Sequence, residues 1–386
     1  MVFVGLDTHH ETSTCCVLDD RGQRLEGRTI KGSWTETSRY LQALQQRDGR
    51  PMAVCYEASC GYGALHDHLR TFCQQVVVAH PGRLRLISRS KRKNDRVDAQ
   101  KLAKLLYLDE VPQVHVPSAE VRSWRELIEL RRRQVQTRTR VQSRIRALLR
   151  TYNVCIPKRG KKIAAEANAP VSEVKPAVVA SEACEPFKIL WTNRGHRWLK
   201  LLQWPTAAVA LRCELLVDEL EQTERAIKRV TVELDKLAAG NAGVQLLCTI
   251  PGVGCRTAEA VVAYLDDPDR FARSNRVGSY AGLVPCQDSS GGTDRLGHIT
   301  KEGPATMRWL LVQSAWQVVR REPFMRAYFN RVAGGQKENH KKALIATAHK
   351  LLRCMHSMLR TGEVWNPQKD IAPVEAKSAA TEEKSG

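Results

Sequence analysis

The sequence predicts a multidomain chain: an α/β N-terminal domain, a long helical middle and a mainly α C-terminal part. Three observations predict it. Short alternating apolar runs dominate the first hundred residues, two long stretches further on keep helical spacing, and the last third is apolar and helical apart from one glycine-rich loop. At 386 residues the chain has room for two or three units with real cores.

In the first part, Val2 to Leu6, Thr14 to Leu18 and Arg24 to Ile30 read as strands, and Trp34 to Gln46 reads as a helix. Met52 to Tyr56 follows as a strand, Gly63 to Cys73 as a helix, Gln75 to Ala79 as a strand, and Arg83 to Leu108 as helix-rich. Three strands before the first helix, then alternation, is the order of a ribonuclease-H-like domain. Its expected extent is residues 1–112.

From Val121 to Tyr152 the apolar residues Trp124, Leu127, Val141, Ile145, Leu148 and Tyr152 recur at helical spacing. Arg131, Arg132, Arg133, Arg138, Arg140, Arg144, Arg146 and Arg150 share that helix, and no acid falls between Glu129 and Glu166. A run so one-sided repels itself without a polyanion. Ala164 to Ala180 lacks periodicity and reads as a connection, part of an irregular insert near 155–205. Leu216, Leu220, Thr223, Ile227, Val230, Leu234 and Leu237 then form a heptad seam with Gly240 as its cap, predicting a coiled coil within 113–240. The two long helices could form an antiparallel hairpin or pair between subunits. The C-terminal unit is expected over 241–361, and the Pro, Ala, Lys, Glu and Ser of 362–386 predict a disordered tail.

The net charge of +20 points to nucleic acid, with a basic ribosomal or membrane-surface protein as the plainer alternative. Twelve cysteines occur without a CxxC pair or a histidine cluster at zinc-finger spacing, so most read as small buried hydrophobes in a reducing cytoplasm. No membrane-length apolar run or cleavable leader is evident, so a cytoplasmic protein with no membrane partner is expected.

Asp7 closes the first strand, Glu57 closes the fourth, and Asp95 and Asp98 share one helix face. Singly, such acids form turns, cap helices or pair with arginines. Jointly, carboxylates at these positions repel unless a cation holds them, and Mg²⁺ takes oxygen ligands while bridging phosphate. Arg89, Lys91, Arg92 and Lys93 lie beside them as phosphate contacts. His9 and His10 read as surface residues or as donors behind the site. Leu246 to Leu265 contains a Pro-Gly-Val-Gly turn between apolar helices, and Gly252 and Gly254 there permit phosphate to approach, as in a helix-hairpin-helix. Ser289 and Ser290 precede Gly291 and Gly292 in a loop near Arg295, His298, Lys301 and Arg308.

Taken together, GLD at Asp7, YEA at Glu57, KNDRVDA at Asp95 and Asp98, IPGVG, AGLVP, GHITKEG and KKALIATAHKLLR resemble, in order, the DEDD-type insertion-sequence transposases of the one-ten family, related to Piv DNA invertases. The resemblance implies a RuvC-like N-terminal domain, a coiled-coil connection and a C-terminal transposase domain with a catalytic serine. It assigns the four acids to Asp7, Glu57, Asp95 and Asp98. It also assigns the nucleophile to Ser290, the serine directly before a glycine. Relatives often carry lysine where this chain has His10. The resemblance further implies donor and target DNA as substrates, a structured noncoding bridge RNA as guide, a dimer or tetramer, and a nucleoid-associated location in a prokaryotic cell. The competing expectations are a RuvC-like hydrolytic, structure-selective nuclease using water, and a non-enzymatic binder on a decayed nuclease fold.

Overall fold

The computed structural model describes residues 1–59, 61–87, 94–154, 156, 190–290 and 293–367. Two compact units divide between Ser123 and Trp124.

The first unit opens with strands β1 (Val2–Thr8), β2 (Thr12–Leu18) and β3 (Arg24–Lys31), then helix α1 (Trp34–Asp48). Strand β4 (Met52–Glu57), helix α2 (Tyr62–Leu69), strand β5 (Gln75–Ala79), helix α3 (Pro81–Ile87) and helix α4 (Asp95–Tyr107) follow. The sheet order is β3-β2-β1-β4-β5, with β1 antiparallel to β2 and parallel to β4. This mixed sheet is compatible with the ribonuclease-H-like order, and it makes β1 and β4 neighbours.

Alternation along the strands decides what each face meets. Val2, Val4 and Leu6 of β1, with Met52, Val54 and Tyr56 of β4, pack into one core with Leu41 and Leu44 of α1 and Leu65 and Leu69 of α2. Phe3, Ala53 and Cys55 face the other way, against Leu102, Leu105 and Leu106 of α4. Gly5 sits where α4 crosses β1. A Cβ there would overlap the Ala99 carbonyl oxygen and the Ala103 amide nitrogen, so the helix backbone rests directly on the strand.

Helix α5 (Ala119–Thr151) starts in the first unit and continues into the second, where α6 (Asn193–Leu201) and α7 (Ala207–Ala239) follow. Leu148 and Leu149 near the end of α5 share a core with Cys213 and Leu216 near the start of α7, while Ile128 shares another with Leu234. The two helices therefore form an antiparallel pair within one chain. Of the seam positions, Leu216, Leu220, Thr223, Ile227 and Leu234 are buried; Leu237 is exposed and Ala238 takes its place inside. Where the sequence reads as irregular, α6 is helical because Thr192 caps it and Trp198 and Leu199 are buried against α5 and α7.

Helices α8 (Ala242–Cys248), α9 (Cys255–Leu265) and α10 (Arg276–Tyr280) come next, then strands β6 (Pro285–Ser290) and β7 (Thr293–Ile299). Helices α11 (Ala305–Arg321), α12 (Pro323–Ala333) and α13 (His340–Thr361) complete the unit around Met307, Leu311, Leu351 and Met355. The expected glycine-rich loop is a two-stranded hairpin: Ser289 pairs with Asp294 and Ser290 with Thr293. Its short polar strands hide the alternation that marks the first sheet.

Candidate active site

Asp7, next to last in β1, and Glu57, last in the adjacent parallel β4, lie one position beyond the Leu6–Tyr56 pair, on the sheet face that α4 covers. Asn94 caps α4 by accepting from the Arg96 amide, which places Asp95 and Asp98 in the first helical turn. There they complement the positive end of the helix. The Gly5 contact then brings that turn over the end of β1.

These placements bring Asp7 and Asp95 together with a third group. His9 Nε2 lies 3.6 Å from Asp7 Oδ2 and 3.8 Å from Asp95 Oδ2. One ligand atom from each residue falls within 4.8 Å of the others. The His9 amide donates to the Thr12 carbonyl at 2.8 Å, closing the tight turn between β1 and β2 that carries the imidazole. The sequence signal for His9 is only its position two residues past Asp7. Asp98 pairs instead with Lys101 Nζ at 3.2 Å, and Glu57 is exposed at its strand end.

Burial pushes the Asp7 carboxyl above the ordinary carboxylate range, His9 pulls it down, and the charges of Asp95, Asp98 and Glu57 push it up again. Three other acids thus act on Asp7, and among the described residues His9 is paired with Asp7 and Asp95, and Lys101 with Asp98. Half-exposed carboxylate oxygens and one imidazole nitrogen form a donor set that fits a divalent cation.

In the second unit, Ser290 is the last residue of β6, ahead of Gly291 and Gly292; its side chain and those two glycines lie outside the described residues. Arg89, Lys91, Arg92 and Lys93 lie outside them as well. On α5, Arg131 Nε donates to Thr231 Oγ1 at 2.9 Å, Arg132 Nη1 to Thr306 Oγ1 at 2.8 Å, and Arg144 lies 3.8 Å from Glu219. Arg133 and Arg140 are exposed, and Arg138 is partly buried. Arg308 is tied to the carbonyls of Ala281 and Glu302 at 2.9 and 3.0 Å, and burial lowers its pKa. Lys301 has φ 56° and donates its amide to the Gly282 carbonyl, so it shapes the turn after β7. The two turn glycines differ. A Cβ on Gly252, at φ 97°, would meet the Gln317 and Val318 backbone of α11, whereas Gly254, which precedes α9, faces open space.

Carboxylates gathered on one face of a sheet compatible with the ribonuclease-H-like order are a donor set suited to divalent-metal chemistry on phosphodiesters. Residues 4–154 match the family model of DEDD transposases of the IS110 type, and residues 244–330 match the transposase IS116/IS110/IS902 family. The two matches together span more than half of the chain. The transposase for insertion sequence element IS1111A of Coxiella burnetii is 29% identical over 82% of this chain and 78% of its own length. The transposase for insertion sequence element IS1328 of Yersinia enterocolitica is 26% identical over 82% of this chain and 86% of its own length. The chain belongs to the IS110 family of DEDD transposases, DNA-cutting enzymes of insertion-sequence mobilisation. No helix among the described residues is long and apolar enough to cross a membrane.

Proposed function

We propose that this transposase cuts and rejoins DNA through a nucleophilic serine, Ser290, working with Mg²⁺-binding carboxylates at Asp7, Glu57, Asp95 and Asp98. The observation that carries the reading is the electrostatic convergence of those acids at neighbouring strand ends, in a chain whose Ser290 ends β6 within the second matched segment.

In this reading the Ser290 hydroxyl oxygen forms a bond to the scissile phosphorus as the bond from phosphorus to the deoxyribose oxygen breaks. The serine proton passes to a neighbouring base or water, and the departing oxygen is protonated. Attack by another strand's hydroxyl on the phosphoserine reverses the step and frees the serine, so the diester energy is conserved. A divalent ion at the carboxylates would offset their repulsion and stabilise charge on the phosphate. Asp7 and Asp95 keep that charge site in place, and His9, between them, can hold a proton or a ligand bond.

Donor and target DNA, a structured noncoding guide RNA and further copies of the chain are its partners. The arginine-rich α5 and the net charge of +20 support an RNA partner beside DNA.

The test is a covalent one. Protein, Mg²⁺, DNA carrying the element ends and a transcript of the flanking noncoding segment are incubated, then denatured in detergent. A protein–DNA adduct is expected with the wild type and with Ser289→Ala, and its loss with Ser290→Ala or without the transcript. Free cut ends with no adduct would make water the nucleophile and the protein a hydrolytic nuclease.

A further inference from the structure

Helices α5, α7, α9 and α11 of the second unit enclose a cavity of about 390 Å³. It is too large for a single ion and falls within the range of small organic ligand sites, about 300–1,000 Å³. Its polar wall is mixed: Arg131, Arg132, Arg140 and Arg256 contribute guanidinium groups and Glu259 a carboxyl, while Trp309 contributes an indole. Ile128, Val135, Leu234 and Leu310 form the apolar part.

The charges there are partly spent. Arg131 and Arg132 each donate to a threonine hydroxyl, and Arg256 pairs with Asp235 and, at 3.3 Å, with Glu259. Arg140 has no ion pair among the described residues and is exposed at the mouth. Two buried atoms remain without a hydrogen bond: Arg256 Nη1, and Glu259 Oε2, which is held by the Arg256 ion pair alone although Glu259 is only 1% exposed. A buried polar group without a hydrogen bond is destabilising. A ligand that recovers both must present an acceptor and a donor side by side.

A free anion presents acceptors alone and leaves Glu259 Oε2 without a donor. A purely apolar ligand would satisfy neither atom. A nucleobase edge carries both kinds of group, its flat face suits Trp309, which is left 47% exposed, and its phosphate suits Arg140. We infer that this cavity receives one unpaired nucleotide of a bound nucleic acid, the base stacked on Trp309 with its edge against Arg256 and Glu259 and its phosphate against Arg140. The inference rests on the nucleic-acid partnership proposed above.

The experiment uses the full chain with Ser290→Ala, so that no strand is cut, and follows the fluorescence anisotropy of labelled single-stranded RNA, single-stranded DNA and duplex DNA of one sequence. Adding Trp309→Ala is expected to weaken single-strand binding by about fivefold or more, the loss typical of one stacked base. Duplex binding stays within about twofold, and Trp309→Phe recovers most of the loss. Whichever single strand is weakened supplies the nucleotide; weakening of both assigns the shared base-and-phosphate chemistry. Unchanged single-strand binding, or equal weakening of the duplex, overturns the inference while leaving the recombinase reading intact. If the parent chain binds none of the three probes, both fall.

Discussion

The carboxylate face of the first unit and the arginine-lined cavity of the second both crowd like charges, yet they hold them differently. The acids stand on backbone features: adjacent strand ends for Asp7 and Glu57, and a capped helix laid on Gly5 for Asp95 and Asp98. Few side chains oppose them, and Asp7 feels three other carboxylates. The arginines are steadied by partners instead, Thr231 for Arg131, Thr306 for Arg132, Asp235 and Glu259 for Arg256. An acidic site held by backbone leaves its carboxylates repelling one another, an arrangement that suits a cation. A basic site held by side chains spends charge to fix direction, and so suits a ligand recognised by shape and edge.

Breaking the acidic side gives the largest expected effect. Asp7→Asn removes a charge without changing volume and lowers strand cutting by at least about a hundredfold. In chelator its Tm equals or exceeds that of the wild type, because repulsion with Asp95, Asp98 and Glu57 is relieved. Added divalent cation then raises the wild-type Tm through preferential binding to the folded form, and leaves that of the variant unchanged. A variant that lost Tm in chelator would show that Asp7 is structural.

Gly5→Val tests the backbone contact itself. The side chain must displace α4, which is expected to cost about 3 kcal/mol in urea denaturation and to abolish cation-induced stabilisation as well. Should stability stay within about 0.5 kcal/mol of wild type, α4 does not rest on β1 as described.

On the basic side, burial pushes the Glu259 carboxyl from 4.5 up to about 7 despite Arg256 and Arg131. Below pH 4.5 the group is neutral in both folded and unfolded chains. Between about 4.5 and 7 the unfolded chain ionises first, so this group's contribution to stability is lost as pH rises. The Tm of Glu259→Gln relative to wild type should therefore climb across that window, by roughly a few degrees. A flat difference would mean that the arginines keep Glu259 ionised throughout.

The smallest effect belongs to Lys101, half-exposed and 3.2 Å from Asp98. Lys101→Met changes stability by less than about 0.5 kcal/mol. It lowers the cation concentration needed for half-maximal stabilisation, since a competing positive charge has gone.

Strand alternation made much of the first unit legible. It identifies the strands, and it dictates that Asp7 and Glu57 share the face of Phe3 and Gly5, where α4 lies. His9 escaped because a histidine beyond a strand end carries no periodic signal, and only the turn bond to Thr12 aims it at the acids. The β6–β7 pair was hidden by polar, glycine-rich strands, and α6 by its irregular neighbours. The cavity was not legible at all. Arg131, Arg256 and Trp309 come from helices far apart in sequence, and their meeting depends on how the helices pack.

Because α4 meets β1 backbone to backbone at Gly5, the spacing between Asp7 and Asp95 is set by main chain rather than by a choice of rotamers. No side chain can be repacked there to absorb a small shift. Lifting the helix from the strand therefore parts Asp7 from Asp95 in the same movement.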